Sequence, residues 1–144
     1  MKALFSDVHW GRVLLTGVLL VILDVILNTV LLLLATHIWS QSDQAQIAIQ
    51  VSSWSSYILV ILLTVGGAAW VARKVEREAP LHGFLVGLVA ALILFIFNPP
   101  LTDFFQGAYR GRLDLLVRAL FTFFLVVAAG WLGGVLGSRR REKS

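Results

Sequence analysis

A carboxylate and a carboxamide stand one helical turn apart in a strongly apolar stretch of the chain. Asp24 and His37 are the only ionisable residues between positions 13 and 38, and Asn28 follows Asp24 by four residues. A carboxylate at mid-membrane depth is rare unless it has a partner or a task. One interpretation makes Asp24 and Asn28 a proton or cation site. The other, which we favour, makes a protonated Asp24 a packing contact, hydrogen-bonded to Asn28 or to a neighbouring helix.

Arg118 completes the candidate intramembrane polar site. It shares a helix face with Thr122 and Val126. A long Arg side chain in this position can either point into the bundle or extend to the outer membrane surface. Asp114 precedes it by four residues, and we expect this local pair rather than an ion pair with Asp24. In unshifted helices Asp24 lies about 12 Å deeper than Arg118, so a direct contact requires a stagger or a bridging water.

Small residues recur at four-residue spacing in the second half of the chain. Such faces let helix backbones approach closely in a bilayer. Because one chain supplies both grooved helices, the pattern favours packing of the third stretch against the fourth over homodimerisation. The predicted packing residues are Gly83, Gly87, Ala91, Gly130, Gly133, Gly134 and Gly137.

Several classes of chemistry find no support. The chain contains no Cys, which excludes disulfides, thiolate metal sites and Cys nucleophiles. His9, His37 and His82 do not have metal-ligand spacing, and interfacial hydrogen bonding is the expectation for each. No Ser-His-Asp order, paired carboxylate cleft or phosphate loop is recognisable. We therefore predict a protein that is not an enzyme and uses no cofactor and no metal.

Composition and hydropathy predict the elements that hold these residues. Hydrophobic residues make up 58% of the 144 positions and charged residues 14%, which is a membrane composition. The apolar stretches cover residues 13–38, 54–72, 81–98 and 113–137, and we predict one all-α domain, 1–144, that forms a four-transmembrane-helix bundle. Residues 101–112 predict an outer interfacial helix. A re-entrant third stretch is the alternative, and it would place the termini on opposite sides.

The distribution of cationic residues predicts orientation. Arg110, Arg112 and Arg118 would share one side of the membrane, and nine others would share the opposite side. The nine are Lys2, Arg12, Arg73, Lys74, Arg77, Arg139, Arg140, Arg141 and Lys143. The positive-inside rule places this larger set, and both termini, in the cytoplasm. There the cations would contact anionic headgroups of the lipid bilayer, so the net charge of +4 does not indicate a nucleic-acid partner.

Short motifs accompany this layout. Trp10, Gly11 and Arg12 end a short leader, Leu81-His82-Gly83 follows a basic loop, and a glycine-rich run from Gly133 to Arg140 closes the last stretch. The chain thereby resembles small four-helix bacterial membrane proteins of unknown function. That resemblance implies a multi-pass protein of the plasma (inner) membrane and supplies no activity.

Two functions lead as hypotheses, and a membrane enzyme comes third because no cluster of residues places a nucleophile and a base within reach of each other. The first is a non-enzymatic structural, accessory or interaction bundle, because the small-residue faces describe a compact protein with little room for a substrate path. The second is a small transporter or proton-linked channel component with Asp24 and Asn28 at the bilayer midplane. A homo-oligomer and a separate membrane partner are both compatible with either hypothesis.

Overall fold

Four α-helices make up the part of the fold that the structure describes. The structure, a computed structural model, describes residues 8–39, 45–75, 78–97 and 113–141, and this part of the chain contains no strand. The helices are α1 (Trp10–Trp39), α2 (Ala45–Arg73), α3 (Ala79–Phe97) and α4 (Leu113–Arg141). Each is long and apolar enough to cross a membrane. Lipid offers no hydrogen-bond partners, so a helix is how each segment satisfies its own backbone. The predicted all-α fold with four spanning helices is confirmed.

The helices extend beyond the predicted stretches, chiefly in α2. This helix begins at residue 45, and the predicted start at 54 was wrong by nine residues. Residues 45–53 mix Ala, Ile and Val with Gln and Ser, so the segment is not a continuous apolar run, but Ala and Gln favour a helix. The other observed ends lie within four residues of the predicted ones. The predicted interfacial helix, 101–112, lies outside the described residues.

The bounds of α3 follow from its prolines. Pro80 occupies the first turn, where a missing backbone N–H costs no helical hydrogen bond. Pro99 and Pro100 follow Phe97 closely in the sequence, and a helix rarely continues into such a pair. The result is a helix of 19 residues beside neighbours of 29 or 30. At about 1.5 Å per residue, α3 is roughly 16 Å shorter than α1.

Side-chain and backbone contacts give an up-down-up-down arrangement. Arg12 reaches Lys74, and Leu20 lies against Gly67, so α1 and α2 are antiparallel. Gly17 lies against Val89, which pairs α1 with α3 in parallel. The start of α1, the end of α2, the start of α3 and the end of α4 therefore share one end of the bundle, which we call the terminal end.

The helices differ in how much of their surface is covered. α4 packs against both α2 and α3, whereas α1 packs against α2 and α3 and makes no contact with α4 within the described residues. Within an apolar window of 18 residues in each helix, 11% of the α1 residues are buried, compared with 39% of the α3 residues. The core consists of small and β-branched side chains such as Val13, Val71, Val86 and Val126. α1 is thus a peripheral helix attached to a three-helix unit.

Candidate functional site

The predicted small-residue face of α3 meets α4 at backbone distance. A Cβ added to Gly83 would lie 2.5 Å from the Gly134 Cα atom and 2.6 Å from the Gly130 carbonyl oxygen. A Cβ added to Gly87 would lie 2.9 Å from the Gly130 Cα atom. Ala91 continues the face and is buried. Only glycine permits this approach, so the predicted packing of the third helix against the fourth is present in the structure.

The remaining α4 glycines serve a different neighbour. A Cβ on Gly133 would collide with the Val65 carbonyl oxygen, and one on Gly137 would lie 2.6 Å from the Ala69 carbonyl oxygen. Both contacts are on α2, so α4 carries two glycine faces, Gly130 with Gly134 toward α3 and Gly133 with Gly137 toward α2. Both four-residue glycine spacings are visible in the sequence, but the spacing alone does not assign a neighbouring helix to Gly133 and Gly137.

Asp24 is buried, with 7% of its surface exposed. Asn28, half-buried one turn further along α1, is a hydrogen-bond partner of its carboxyl group. The second carboxyl oxygen, Oδ1, is buried and has no hydrogen-bond partner among the described residues. The structure therefore brings Asp24 and Asn28 together as predicted, but it leaves one oxygen of the pair unsatisfied.

Thr64 carries the buried hydroxyl of α2 at the level of Asp24, and this hydroxyl already donates a hydrogen bond within its own helix. The contact between Leu20 and Gly67 places Asp24, four residues beyond Leu20, at the level of residues 63 and 64 of antiparallel α2. Thr64 is fully buried there, and its Oγ1 hydroxyl donates to the Val60 carbonyl oxygen of the same helix at 2.7 Å. A hydroxyl hydrogen makes one such bond, so Thr64 does not donate to Asp24 in this arrangement.

Asp24 also lies level with the last turn of α3. His9 pairs with His82, and Gly17 with Val89, which sets the offset between the two parallel helices at 73 and 72 residues. The same offset places Asp24 beside residues 96 and 97, where α3 ends. Beyond Asp24, α1 continues for 15 residues, about 22 Å, without α3 alongside. Asp24 and Asn28 thus lie at the level where α3, one of the two helices that pack against α1, ends.

Arg118 is not part of this pair. Its side chain is exposed, and α1 and α4 make no contact within the described residues, so the predicted alternative of an Asp24–Arg118 ion pair is not formed there. The contact between Gly87 and Gly130 places Arg118 level with residue 99, just past the end of α3. With no α3 residue to cover it, the side chain faces outward. The expected pairing with Asp114 lies outside the described side chains.

A buried histidine at the terminal end was missed by sequence reasoning. His82 is 1% exposed, and its Nε2 atom accepts the backbone N–H of His9 at 3.3 Å. Its Nδ1 atom lies 3.1 Å from the Glu78 carbonyl oxygen. The His9 and His82 rings are 6.1 Å apart. Hydrogen bonding is the sequence-based expectation for His82, and its ring does make hydrogen bonds at this end of the bundle; the burial of the ring was not predicted. The up-down-up-down order was the available signal, since it brings the starts of α1 and α3 together.

Neither polar site offers a recognisable metal or substrate cavity among the described residues. Across residues 8–39, 45–75, 78–97 and 113–141, no group of three or more His, Asp or Glu side chains lies close enough to hold a metal ion. A cavity of about 10 Å³ lies between α3 and α4, lined mainly by apolar side chains such as Phe95, Phe123 and Val126. That volume is at the lower limit for one water molecule.

Comparisons with protein-family models, with curated proteins and with solved structures find no match for this chain.

Proposed function

We propose that this chain is a non-enzymatic integral membrane bundle with a structural, accessory or interaction role. The observation that carries the proposal is the glycine-mediated contact of α4 with two neighbours at once, Gly83 and Gly87 on α3 and Val65 and Ala69 on α2. Backbones at van der Waals distance leave no solute path between these helices. They also produce a stiff three-helix unit, because packing rather than the hydrophobic effect holds helices together in lipid.

The orientation we propose places the terminal end in the cytoplasm of a bacterium, at the plasma (inner) membrane. The bacterial location rests on the family resemblance. The orientation rests on the positive-inside rule, and Arg12, Arg73, Lys74 and Arg139 are all exposed side chains at the terminal end. Their partners there would be anionic lipid headgroups.

Single-cysteine labelling tests this orientation, because the parent chain contains no Cys. Lys74→Cys, at the terminal end, should react with a membrane-impermeant maleimide only after the membrane is permeabilised. His37→Cys, an exposed position near the opposite end of α1, should react in intact cells. The reverse pattern would overturn the orientation and leave the fold untouched.

The peripheral position of α1 supports an interaction role. Its large apolar side chains are exposed along most of the helix, including Leu15 and Leu33. Oxidative crosslinking through Leu15→Cys or Leu33→Cys should give a covalent homodimer if a second copy packs on α1, and an adduct of another mass if a different membrane protein does. Thr64→Cys, which is enclosed within the bundle, is the matched control and should give neither. Absence of any adduct from both α1 positions would count against an interaction role for this helix.

A second candidate function is proton or cation transfer at Asp24. The unpartnered Oδ1 atom favours it, since a carboxyl group that served packing alone would be expected to satisfy both oxygens. Proteoliposomes containing the purified protein decide between the two candidates. The bundle proposal expects no proton or cation flux above empty vesicles. Flux in the parent protein that is lost in Asp24→Asn would replace it with the transport function.

A further inference from the structure

We propose that His82 is a proton-binding site that fastens the start of α1 to the bundle while it is neutral and releases it when it becomes protonated. We call the contact between residues 8–9 and His82 the histidine latch. The inference goes beyond the proposed function and holds whether the bundle is a structural subunit or a transporter.

The two ring nitrogens of His82 have opposite, fixed roles. A backbone N–H can only donate, so Nε2, which receives the His9 N–H, must be unprotonated. The proton of the neutral ring is then on Nδ1, which donates it to the Glu78 carbonyl oxygen. The one donor and the one acceptor of a neutral imidazole are thus both hydrogen-bonded to backbone groups, and the ring is 1% exposed. The structure therefore defines one charge state and one tautomer.

Protonation is incompatible with this arrangement. The charged ring carries a hydrogen on each nitrogen, so Nε2–H and the His9 N–H would face each other as two donors. His82 also lies in the first turn of α3, where the exposed backbone N–H groups disfavour a positive charge. The bond from His9 must break for His82 to take up a proton. Histidine is the side chain whose charge changes in the physiological pH range.

The charged side chains at this end of the bundle are exposed, whereas the His82 ring is buried. On the α1 side they are His9, whose ring centroid lies 6.1 Å from that of His82, and Arg12, whose guanidinium donates to the Lys74 carbonyl oxygen. From α2 and the following turn come Arg73, Lys74 and Glu78, and from α4 comes Arg139, all with exposed side chains. Glu78 contacts His82 through its backbone carbonyl. Within the described residues, none of these charged side chains forms a hydrogen bond or an ion pair with the His82 ring, whose hydrogen-bond partners are backbone groups.

Release of the latch would uncover part of the core. Val8 is 7% exposed and belongs to one apolar cluster with Val13, Val71 and Leu85. The latch is therefore the cover over this cluster at the terminal end. α1 has no contact with α4 in the described residues, so its attachment depends on α2, α3 and this contact. Opening the latch would loosen the helix that carries Asp24.

The test measures the accessibility of position 8 in an otherwise cysteine-free protein. Val8→Cys replaces one small apolar side chain with another. Its reaction rate with a membrane-impermeant thiosulfonate, divided by the rate after SDS denaturation at the same pH, reports opening independently of thiol ionisation. Between about pH 8 and about pH 5 the normalised rate should rise at least about tenfold, equivalent to about 1.4 kcal/mol.

Two second-site variants identify the group responsible. His82→Gln can still accept from His9 and donate to Glu78 but does not titrate, so the rate should stay low at all pH values. His9→Ala removes the other histidine and keeps the backbone N–H, so most of the pH response should remain. A rate that does not change with pH, or one that rises equally in His82→Gln, would overturn the proposal. If His82→Gln does not fold, ¹⁵N chemical shifts of the parent protein still decide, because the latch requires the Nδ1–H tautomer at neutral pH.

Discussion

The contact between Gly83 and α4 is tested by adding a single methyl group. In Gly83→Ala the new Cβ would lie 2.5 to 2.6 Å from three backbone atoms, whereas ordinary van der Waals contact begins at 3.4 Å. None of the three belongs to a side chain that can rotate away. α3 and α4 must therefore separate by up to about 0.9 Å, and a gap of that size forfeits roughly a quarter to a half of each dispersion contact.

The expected loss follows from this separation. Overpacking of a close-packed interior typically costs about 1–3 kcal/mol. The loss reaches neighbouring contacts as well, because Gly87 meets Gly130 and Gly134 meets Pro80 on the same pair of helices. We expect Gly83→Ala to lower the free energy of unfolding by about 1–3 kcal/mol.

Gly66 provides the matched control. It lies in α2, and a Cβ added there meets nothing within 4 Å. Alanine is favoured over glycine in a helix by about 1 kcal/mol, so Gly66→Ala should be neutral or stabilising. The two variants add the same methyl group to a membrane helix and should differ by about 1–4 kcal/mol.

Unfolding titrations in mixed micelles of dodecyl maltoside and SDS, followed by circular dichroism, measure the difference. The midpoints should not depend on protein concentration, because the contact is within one chain. If Gly83→Ala were as stable as Gly66→Ala, the backbone contact between α3 and α4 would be refuted. A concentration-dependent midpoint would instead favour the homodimer that the sequence left as the alternative.

Three further predictions concern α1 and the start of α3. Asp24→Asn should change the free energy of unfolding by less than about 0.5 kcal/mol, and Asn28→Leu should lower it by about 1 kcal/mol, because Asp24 then loses its described partner. Equal effects in the same titration would argue against the pair. Gly17→Ala places a Cβ 2.5 Å from the Val89 Cγ1 atom, so it should lower the free energy of unfolding. Adding Val89→Ala removes that clash, so the double variant should recover part of the loss. If the effects of the two substitutions on the free energy of unfolding were simply additive, this contact would be refuted. Glu78 has a φ of 54°, a left-handed backbone conformation that glycine adopts readily and a β-branched residue does not. Glu78→Gly should therefore leave the free energy of unfolding unchanged or raise it by up to about 1 kcal/mol, whereas Glu78→Val should lower it. A Val variant as stable as the Gly variant would refute the strained turn.

The amino-acid sequence determined the number and type of the elements. Long apolar runs force helices in lipid regardless of what surrounds them, so the four helices follow from local composition. Glycine spacing likewise identified the faces of α3 and α4 that approach closely, because a small residue every fourth position is a property of one helix. The start of α2 was missed because residues 45–53 mix apolar with polar residues, and a search for continuous apolar runs does not detect a helix of mixed polarity.

Only the tertiary structure decided which groups face one another. The sequence of one helix does not determine how far it is shifted along its axis relative to a parallel neighbour. Contacts between the helices, such as that of Gly17 with Val89, set this shift. That shift places Asp24 at the end of α3 and leaves Arg118 just beyond it, so two residues predicted for one polar site are separated. It also buries His82 beneath His9, which are 73 positions apart in the chain. Local propensity fixes helices, but their register and the pairing of distant polar groups come from side-chain packing between them.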